Sequence, residues 1–403
     1  MKKVYIVAAK RSAIGAFSGS LSALHPSVFS STVLKAVLNE GNIPSRKIDE
    51  VVIGNVLPAG NGQGLARQIS IKSGIPSDVP AYSINMVCGS GMKSVMTAYG
   101  NIKAGLQKLV VAGGVESMSR APFLLPADVR SGFKMGDLKL VDHMINDALI
   151  DAFNNYHMGI TAENVADKYN LTRGDLDEFA ILSQEKALKA SDAGAFSSEI
   201  VPIVISTRKG DIVFDKDEYI NRTTSLDKLL GLRPTFKKDG IVTAGNSSGL
   251  NDGASFCVVA SEKAVEKYNL HPLVEIVAVG QGGVDPSVMG LGPVPAIKNA
   301  LKSAKLELKD IDVIELNEAF AAQSLGVVKE LARRYDETVS SIMARTNING
   351  GAIALGHPVG CSGNRVIVTL IHELLKNEKA TYGLASLCIG GGMGTAVILK
   401  KVK

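Results

Sequence analysis

Residues 81–91 read Ala81-Tyr82-Ser83-Ile84-Asn85-Met86-Val87-Cys88-Gly89-Ser90-Gly91. The first seven have strand character, and then the period changes. From Met92 the apolar positions are Met92, Val95, Met96, Tyr99 and Ile102, a stripe at i, i+3, i+4 and i+7 that predicts a helix over Met92–Leu106. A strand running directly into a helix is an α/β joint, and Cys88 sits on the turn. Gly89 and Gly91 allow a sharp bend there and close approach of a ligand. A helix N-terminus offers free N–H groups and the positive end of a dipole, so the position predicts a thiol biased toward thiolate. The layout is that of a nucleophile elbow with cysteine in place of serine; a buried structural cysteine is the plainer alternative.

The same alternation extends outward. Val4–Ala9, Val51–Val56 and Leu109–Ala112 predict strands, and Val28–Leu38 predicts a helix between the first two. This is the pattern of an α/β sheet covered by helices. The second half repeats the first. Lys47–Asn55 resembles Asp310–Asn317, and Leu109–Glu116 (LVVAGGVE) resembles Leu384–Gly391 (LASLCIGG), both offset by about 260–275 positions. Such a period is far too long for a solenoid and points to duplication. Residues 119–249 break the alternation with Pro122, Pro126, helical segments at Ala162–Tyr169 and Asp175–Ala190, and a charged stretch from Arg208 to Lys238. An insertion of this size usually serves binding.

The chain has 403 residues, 46% hydrophobic and 21% charged, with a net charge of +5. That composition is globular rather than disordered. The excess charge is too thinly spread to indicate a nucleic-acid partner. No apolar run approaches the ~20 residues of a membrane span. The opening MKKVYIVAAKR lacks a long enough apolar region for a secretory signal, so a cytoplasmic location is expected. The four cysteines, Cys88, Cys257, Cys361 and Cys388, form no CxxC pair and have no histidine cluster beside them, which argues against zinc and a disulfide framework.

Three further segments carry candidate chemistry. His357, in Gly356-His357-Pro358, lies in a turn where an imidazole can act as general base, although a histidine satisfied by backbone is the commoner case. Cys388 ends a strand and opens Gly390-Gly391-Gly392-Met393-Gly394, a loop able to present backbone N–H groups to an anion. It is not a dinucleotide fingerprint, because the GxGxxG spacing and following helix are missing. Asn317 and Glu318 follow the repeated strand, where an amide can hold a water or serve as an N-cap.

Together, Asn85–Gly91, Asn317–Phe320 (Asn-Glu-Ala-Phe), Gly350–Gly363 and Cys388–Gly394 resemble the four motifs of the thiolase family, in the family's order and over nearly the whole chain. The resemblance implies a duplicated five-layer α-β-α-β-α core with an inserted loop domain. The expected division is an N-terminal core at 1–118 continued at 250–272, a loop domain over the active site at 119–249, and a C-terminal core at 273–403. The resemblance assigns Cys88 as nucleophile, His357 as its base and Cys388 as a second acid/base. Asn317 would hold a water that forms one oxyanion hole with His357. The backbone N–H groups of Cys88 and Gly390 would form the other.

The implied reaction joins two acetyl-CoA into acetoacetyl-CoA and CoA through an acetyl-cysteine, and runs in reverse as thiolysis. Acetyl-CoA, CoA and acetoacetyl-CoA are the expected partners, with no cofactor beyond CoA as substrate, no metal, no nucleic acid and no membrane. Tyr156-His157-Met158-Gly159 resembles the biosynthetic type. His157 and Met158 would contact pantetheine and crowd the acyl pocket, Met289 and Phe320 would line it, and Ser248 would bond the pantetheine. Where many such members carry an arginine near the nucleotide, this chain aligns Asn221, with Arg222 adjacent as the expected substitute. Cys361 is expected as a small packed residue at a helix start, and Cys257 as core. A homotetramer built as a dimer of dimers is also implied. The competing readings are a degradative 3-ketoacyl-CoA thiolase of broad chain length, a non-catalytic thiolase-like lipid-binding protein, and a decarboxylating condensing enzyme. The last has no need of Cys388 to abstract a proton.

Overall fold

The computed structural model describes residues 2–402. Its first half runs β1 (Val4–Ser12), α1 (Pro26–Glu40), β2 (Glu50–Gly54), β3 (Ala81–Ile84), α2 (Ser90–Ala104) and β4 (Leu109–Ser117). Residues 119–249 then carry α3 (Met158–Tyr169) and α4 (Arg173–Asp192), and β5 (Asn251–Ser261) returns to the sheet. The second half runs β6 (Val274–Gly283), α5 (Pro293–Ala304), β7 (Val313–Leu316), α6 (Ala321–Tyr335), α7 (Val359–Lys376), β8 (Tyr382–Ile389) and β9 (Met393–Lys401).

The main sheet has the order β7-β8-β9-β6-β1-β5-β4-β2-β3, with Gly15–Ala16 added to β5 and Ile200–Val201 to β1. Outward from its centre, β1-β5-β4-β2 is matched by β6-β9-β8-β7. Each set has two antiparallel pairings followed by a parallel one. The halves join antiparallel where Tyr5 faces Glu275 and Ile6 faces Val274. A register shift between Ile6 and Ala8 in the β1·β5 ladder recurs between Ile276 and Ala278 in the β6·β9 ladder. The two repeated segments legible in the sequence, β2 with β7 and β4 with β8, occupy equivalent places. The counterpart of β3 is reduced to one parallel bridge, Ile314 to Thr346.

Side-chain alternation along these strands divides the interior into three cores. Val51, Ile53, Val111 and Phe256 face α1 on one outer side. Val52, Val110, Cys257, Leu387 and Val397 face inward, onto α2 and α7. Leu384, Ala396 and Ile398 face α5 and α6 on the other outer side. The result is five layers, helix–sheet–helix–sheet–helix. Helix α7 is buried from Val359 to Leu374, including its polar Ser362, Asn364, Arg365, Thr369, His372 and Glu373. It meets α2 backbone to backbone. A Cβ on Gly363 would lie 2.4 Å from Met92 N, and one on Gly91 would lie 2.7 Å from Asn364 N. Only glycine permits that approach.

The insertion is fastened by charge. Arg11, fully buried on β1, makes paired bonds of 2.7 and 2.9 Å to Asp217 and one of 2.7 Å to Glu199. Its guanidinium lies 5.2 Å from the Phe196 ring centroid.

Candidate active site

Cys88 lies on the turn between β3 and α2. The strand ends at Ile84, short of the expected Val87, because the chain is already turning. Gly89 N and Ser90 N donate to Met86 O and Val87 O at 3.0 Å each. Ser90 Oγ donates to Val87 O at 2.7 Å and accepts from Met86 N at 2.8 Å. Val87 has φ +46°, the left-handed region that a β-branched residue seldom adopts, so the elbow is strained. Cys88 is half-buried.

The thiol itself differs from the sequence expectation. Burial pushes it up to about 11, although hydrogen bonds from the N–H groups of Gly390 and of Cys88 itself pull it down. Desolvation outweighs the helix terminus here. The resting group is therefore a thiol.

His357 lines the same cavity as Cys88. It is 5% exposed, and its backbone N–H donates to Asn251 Oδ1 at 2.9 Å. Its Nδ1 lies 2.6 Å from Ser362 Oγ, which donates its own proton to Pro358 O at 3.0 Å. Nδ1 is thereby assigned the proton, and Nε2 keeps a free lone pair. Nε2 is buried and has no protein partner. Burial, and then the positive charge of Arg365, lower this imidazole to about 3, so it is neutral at rest.

Cys88, His357 and Gly390 line one cavity of about 390 Å³. His157, Met158, Ser248, Met289 and Phe320 line it as well. His157 caps α3, its Nδ1 accepting from Gly159 N at 3.0 Å. Its ring stacks on Phe236 at 4.5 Å, and Phe236 meets Phe320 edge-on at 6.1 Å. Phe236 also lines the cavity and was not singled out from sequence, because it sits in a charged stretch with no periodic signal. Ser248 N donates to Ala319 O at 3.0 Å, which binds the 244–249 segment to the Asn-Glu-Ala-Phe segment.

Cys388 and Asn317 stand outside that lining, 1% and 0% exposed. Cys388 packs with Met158, Met289 and Phe320, and its thiol is held well above the ordinary range by burial, with a smaller contribution from Cys88. Asn317 N donates to Ser386 O at 3.0 Å, while both its amide atoms are buried without a protein partner. Such an amide needs a water or an equivalent polar group.

Arg222 does not join this group. It is exposed and paired with Asp192 at 2.6 Å. A neighbouring cavity of about 290 Å³, which shares Tyr219 and Ala244 with the first, is lined instead by Asn221 and Lys228. Cys361 and Cys257 are buried, and both thiols are pushed up to about 12 by desolvation. Among the described residues no group of three or more His, Cys, Asp or Glu is placed to hold a metal ion, and no helix is long and apolar enough to cross a membrane.

A duplicated α/β core with a cavity lined by Cys88 and His357, and with Cys388 and the orphaned amide of Asn317 buried outside that lining, is the architecture of a class of enzymes that transfer acyl groups. The family descriptions "Thiolase, N-terminal domain" and "Thiolase, C-terminal domain" match residues 4–263 and 270–401. The chain is 51% identical over 402 residues to an acetyl-CoA acetyltransferase of Cupriavidus necator, covering all of both chains. It is 49% identical over 404 residues to a probable acetyl-CoA acyltransferase of Staphylococcus aureus, again covering both in full. Its fold matches an acetyl-CoA acetyltransferase from Syntrophomonas wolfei with TM-score 0.96 at 41% identity, over 100% of each chain. Human mitochondrial 3-ketoacyl-CoA thiolase matches with TM-score 0.94 at 43% identity, over 100% of this chain and 99% of that one. The chain belongs to the thiolase family and is an acyltransferase.

Proposed function

We propose that this chain interconverts two acetyl-CoA with acetoacetyl-CoA and CoA through an acetyl group carried on Cys88. The observation that carries the reading is the free Nε2 lone pair of a neutral His357 in the same cavity as the Cys88 thiol. His357 takes the thiol proton as sulfur attacks the thioester carbonyl, and the tetrahedral oxyanion is received by the N–H groups of Cys88 and Gly390. Collapse expels CoA thiolate, which takes the proton, and leaves acetyl-Cys88. The Cys388 thiol then gives its proton to the now neutral His357, and the resulting Cys388 thiolate takes a methyl proton from a second acetyl-CoA. The enolate oxygen is stabilised by protonated His357 and by a water on Asn317. Attack of the carbanion on acetyl-Cys88 forms the new C–C bond and expels the Cys88 sulfur, which takes the proton back from His357 and so restores both thiols. One oxyanion donor of this kind is typically worth ~2.7–4 kcal/mol.

His157, Met158, Met289, Phe236 and Phe320 crowd the cavity, which supports a short acyl chain. A broader, degradative chain length is the second reading, favoured by the likeness to 3-ketoacyl-CoA thiolase. The nucleotide end of CoA would extend toward the cavity at Asn221 and Lys228, with Arg222 and Lys228 as the cations for the 3′-phosphate. The reading further holds that residues 119–249 act as a loop domain between cores at 1–118 with 250–272 and at 273–403, and that the protein is a cytoplasmic homotetramer. Exposed Phe123, Leu125, Phe133 and Met135 in the insertion supply apolar surface for self-association.

The test is CoA-dependent cleavage of 3-ketoacyl-CoA substrates from four to sixteen carbons, with Cys88→Ala as control. A strong preference for acetoacetyl-CoA, abolished in the variant, supports the proposal. Equal or better turnover of long chains moves the assignment to the degradative type.

A further inference from the structure

Two buried carboxylates lie outside the cavity lining, yet each is bonded to the segments that carry the reacting groups. Glu116, on β4, is fully buried. It accepts from Asn55 Nδ2 at 2.9 Å, Val56 N at 2.9 Å, Leu57 N at 3.1 Å and Gly360 N at 3.0 Å. The 55–57 segment is itself joined to the approach to Cys88, through Asn55 N to Ile84 O at 3.1 Å and Asn85 Nδ2 to Val56 O at 3.4 Å. Gly360 is in the first turn of α7, three residues beyond His357. A Cβ there would lie 2.6 Å from Glu116 Oε2, so the carboxylate fills the space that glycine leaves. Glu116 thus ties the Cys88 turn to the His357 turn from behind.

Glu318 is 2% exposed and follows Asn317 directly. It accepts from Ser183 Oγ at 2.6 Å, Asn347 Nδ2 at 2.7 Å and Ile353 N at 3.3 Å. Asn347 in turn holds Leu316, accepting from its N–H at 2.8 Å and donating to its carbonyl at 2.7 Å. The residues on both sides of Asn317, Leu316 through its backbone and Glu318 through its side chain, are therefore held by one network. His357 takes its own anchor elsewhere, from Asn251.

We propose that Glu116 is the positioning residue for the Cys88–His357 pair, needed from acylation onward, and Glu318 the positioning residue for Asn317, needed only once the enolate forms. This rests on the roles assigned to Cys88, His357 and Asn317 under Proposed function. Acylation needs Cys88 and His357 in register, whereas Asn317 is called on only when the enolate forms. A misplacement of about 1 Å at a reacting group costs about 10²-fold in rate, and neither carboxylate needs to touch substrate to exert it.

The experiment compares the wild-type protein with Glu116→Gln and Glu318→Gln in two measurements. Acylation is the burst of CoA released from acetyl-CoA. Condensation is the steady-state formation of acetoacetyl-CoA. Glu116→Gln should slow the burst by about 10²-fold, and Glu318→Gln should leave the burst within about twofold of wild type while slowing condensation by about 10²-fold. A wholly structural role would lower both measurements together, in line with loss of folded protein on a thermal melt. Equal losses in both steps for both variants, or wild-type rates in both, would overturn the proposal. If Glu116→Gln does not fold, Asn55→Ala removes one of its four donors and should slow the burst with an unchanged thermal melt, in contrast to Glu318→Gln, which spares the burst. Absence of a burst in the wild-type protein would instead defeat the functional reading on which this rests.

Discussion

The proton between His357 and Ser362 has one place to go. Ser362 Oγ already donates to Pro358 O at 3.0 Å, so the 2.6 Å contact to His357 Nδ1 is a bond that the imidazole donates. This tautomer leaves Nε2 as the acceptor. Ser362→Ala removes the acceptor for the Nδ1 proton and lets the ring take the other tautomer. It should lower kcat/KM for acetoacetyl-CoA cleavage, but by less than His357→Ala, for which loss of a general base predicts about 10²–10⁴-fold. Steady-state kinetics of both variants checks the order. Wild-type kinetics in Ser362→Ala would show that the ring orientation is fixed by other means.

The resting state of the cavity has a pH signature. With Cys88 pushed up to about 11 and His357 down to about 3, the pair is thiol and neutral imidazole between those values, not thiolate and imidazolium. A raised thiol pKa leaves the nucleophile protonated as pH rises through neutrality. Alkylation of Cys88 by iodoacetamide should therefore climb about tenfold per pH unit above pH 7, without a plateau below about pH 10. The rate is read by mass spectrometry of the peptide containing Cys88. A rate that is flat from pH 5 to 8 would mean a preformed ion pair.

Phe236 forms a wall between His157 and Phe320. Phe236→Ala removes the stacked ring, a contact worth about 0.5–1.5 kcal/mol beyond its buried area, and opens the side of the cavity. The expected outcome is a small fall in melting temperature together with a rise in the kcat/KM of longer 3-ketoacyl-CoA substrates relative to acetoacetyl-CoA. The chain-length panel measures both terms of that ratio. An unchanged ratio would remove Phe236 from the acyl wall.

Arg11 joins β1 to the insertion through two buried carboxylates. Arg11→Met keeps the bulk and leaves Asp217 and Glu199 buried without their cation, which predicts a loss of about 3–5 kcal/mol in stability. Denaturant unfolding of the variant gives the number. A loss below 1 kcal/mol would mean that water reaches the carboxylates.

Much of this was legible in the chain itself. The helical stripe from Met92 and the β-branched runs located α2 and the central strands, because burial on one face leaves its period in the sequence. The match of Lys47–Asn55 to Asp310–Asn317 marked β2 and β7, which the structure puts in equivalent places of the two half-sheets. The motif residues were legible as motifs. What they touch was not. Ser183 reaches Glu318 over 135 positions and Glu116 reaches Gly360 over 244, and nothing local announces such pairs. The raised Cys88 thiol has the same origin. The helix terminus is visible in sequence and favours thiolate, whereas the burial that defeats it is supplied by the folded chain around the elbow. Val87 could not be identified as the strained residue either, since glycines stood close by to take the turn.

The most direct measurement is the location of the acyl group. The protein is incubated with acetyl-CoA, quenched in acid, digested and mapped by mass spectrometry, then chased with CoA. The account predicts one acetyl group on the peptide containing Cys88, removed by the chase and absent from Cys88→Ala. An acetyl group found on Cys388 instead, or none on any cysteine of an active preparation, would contradict it.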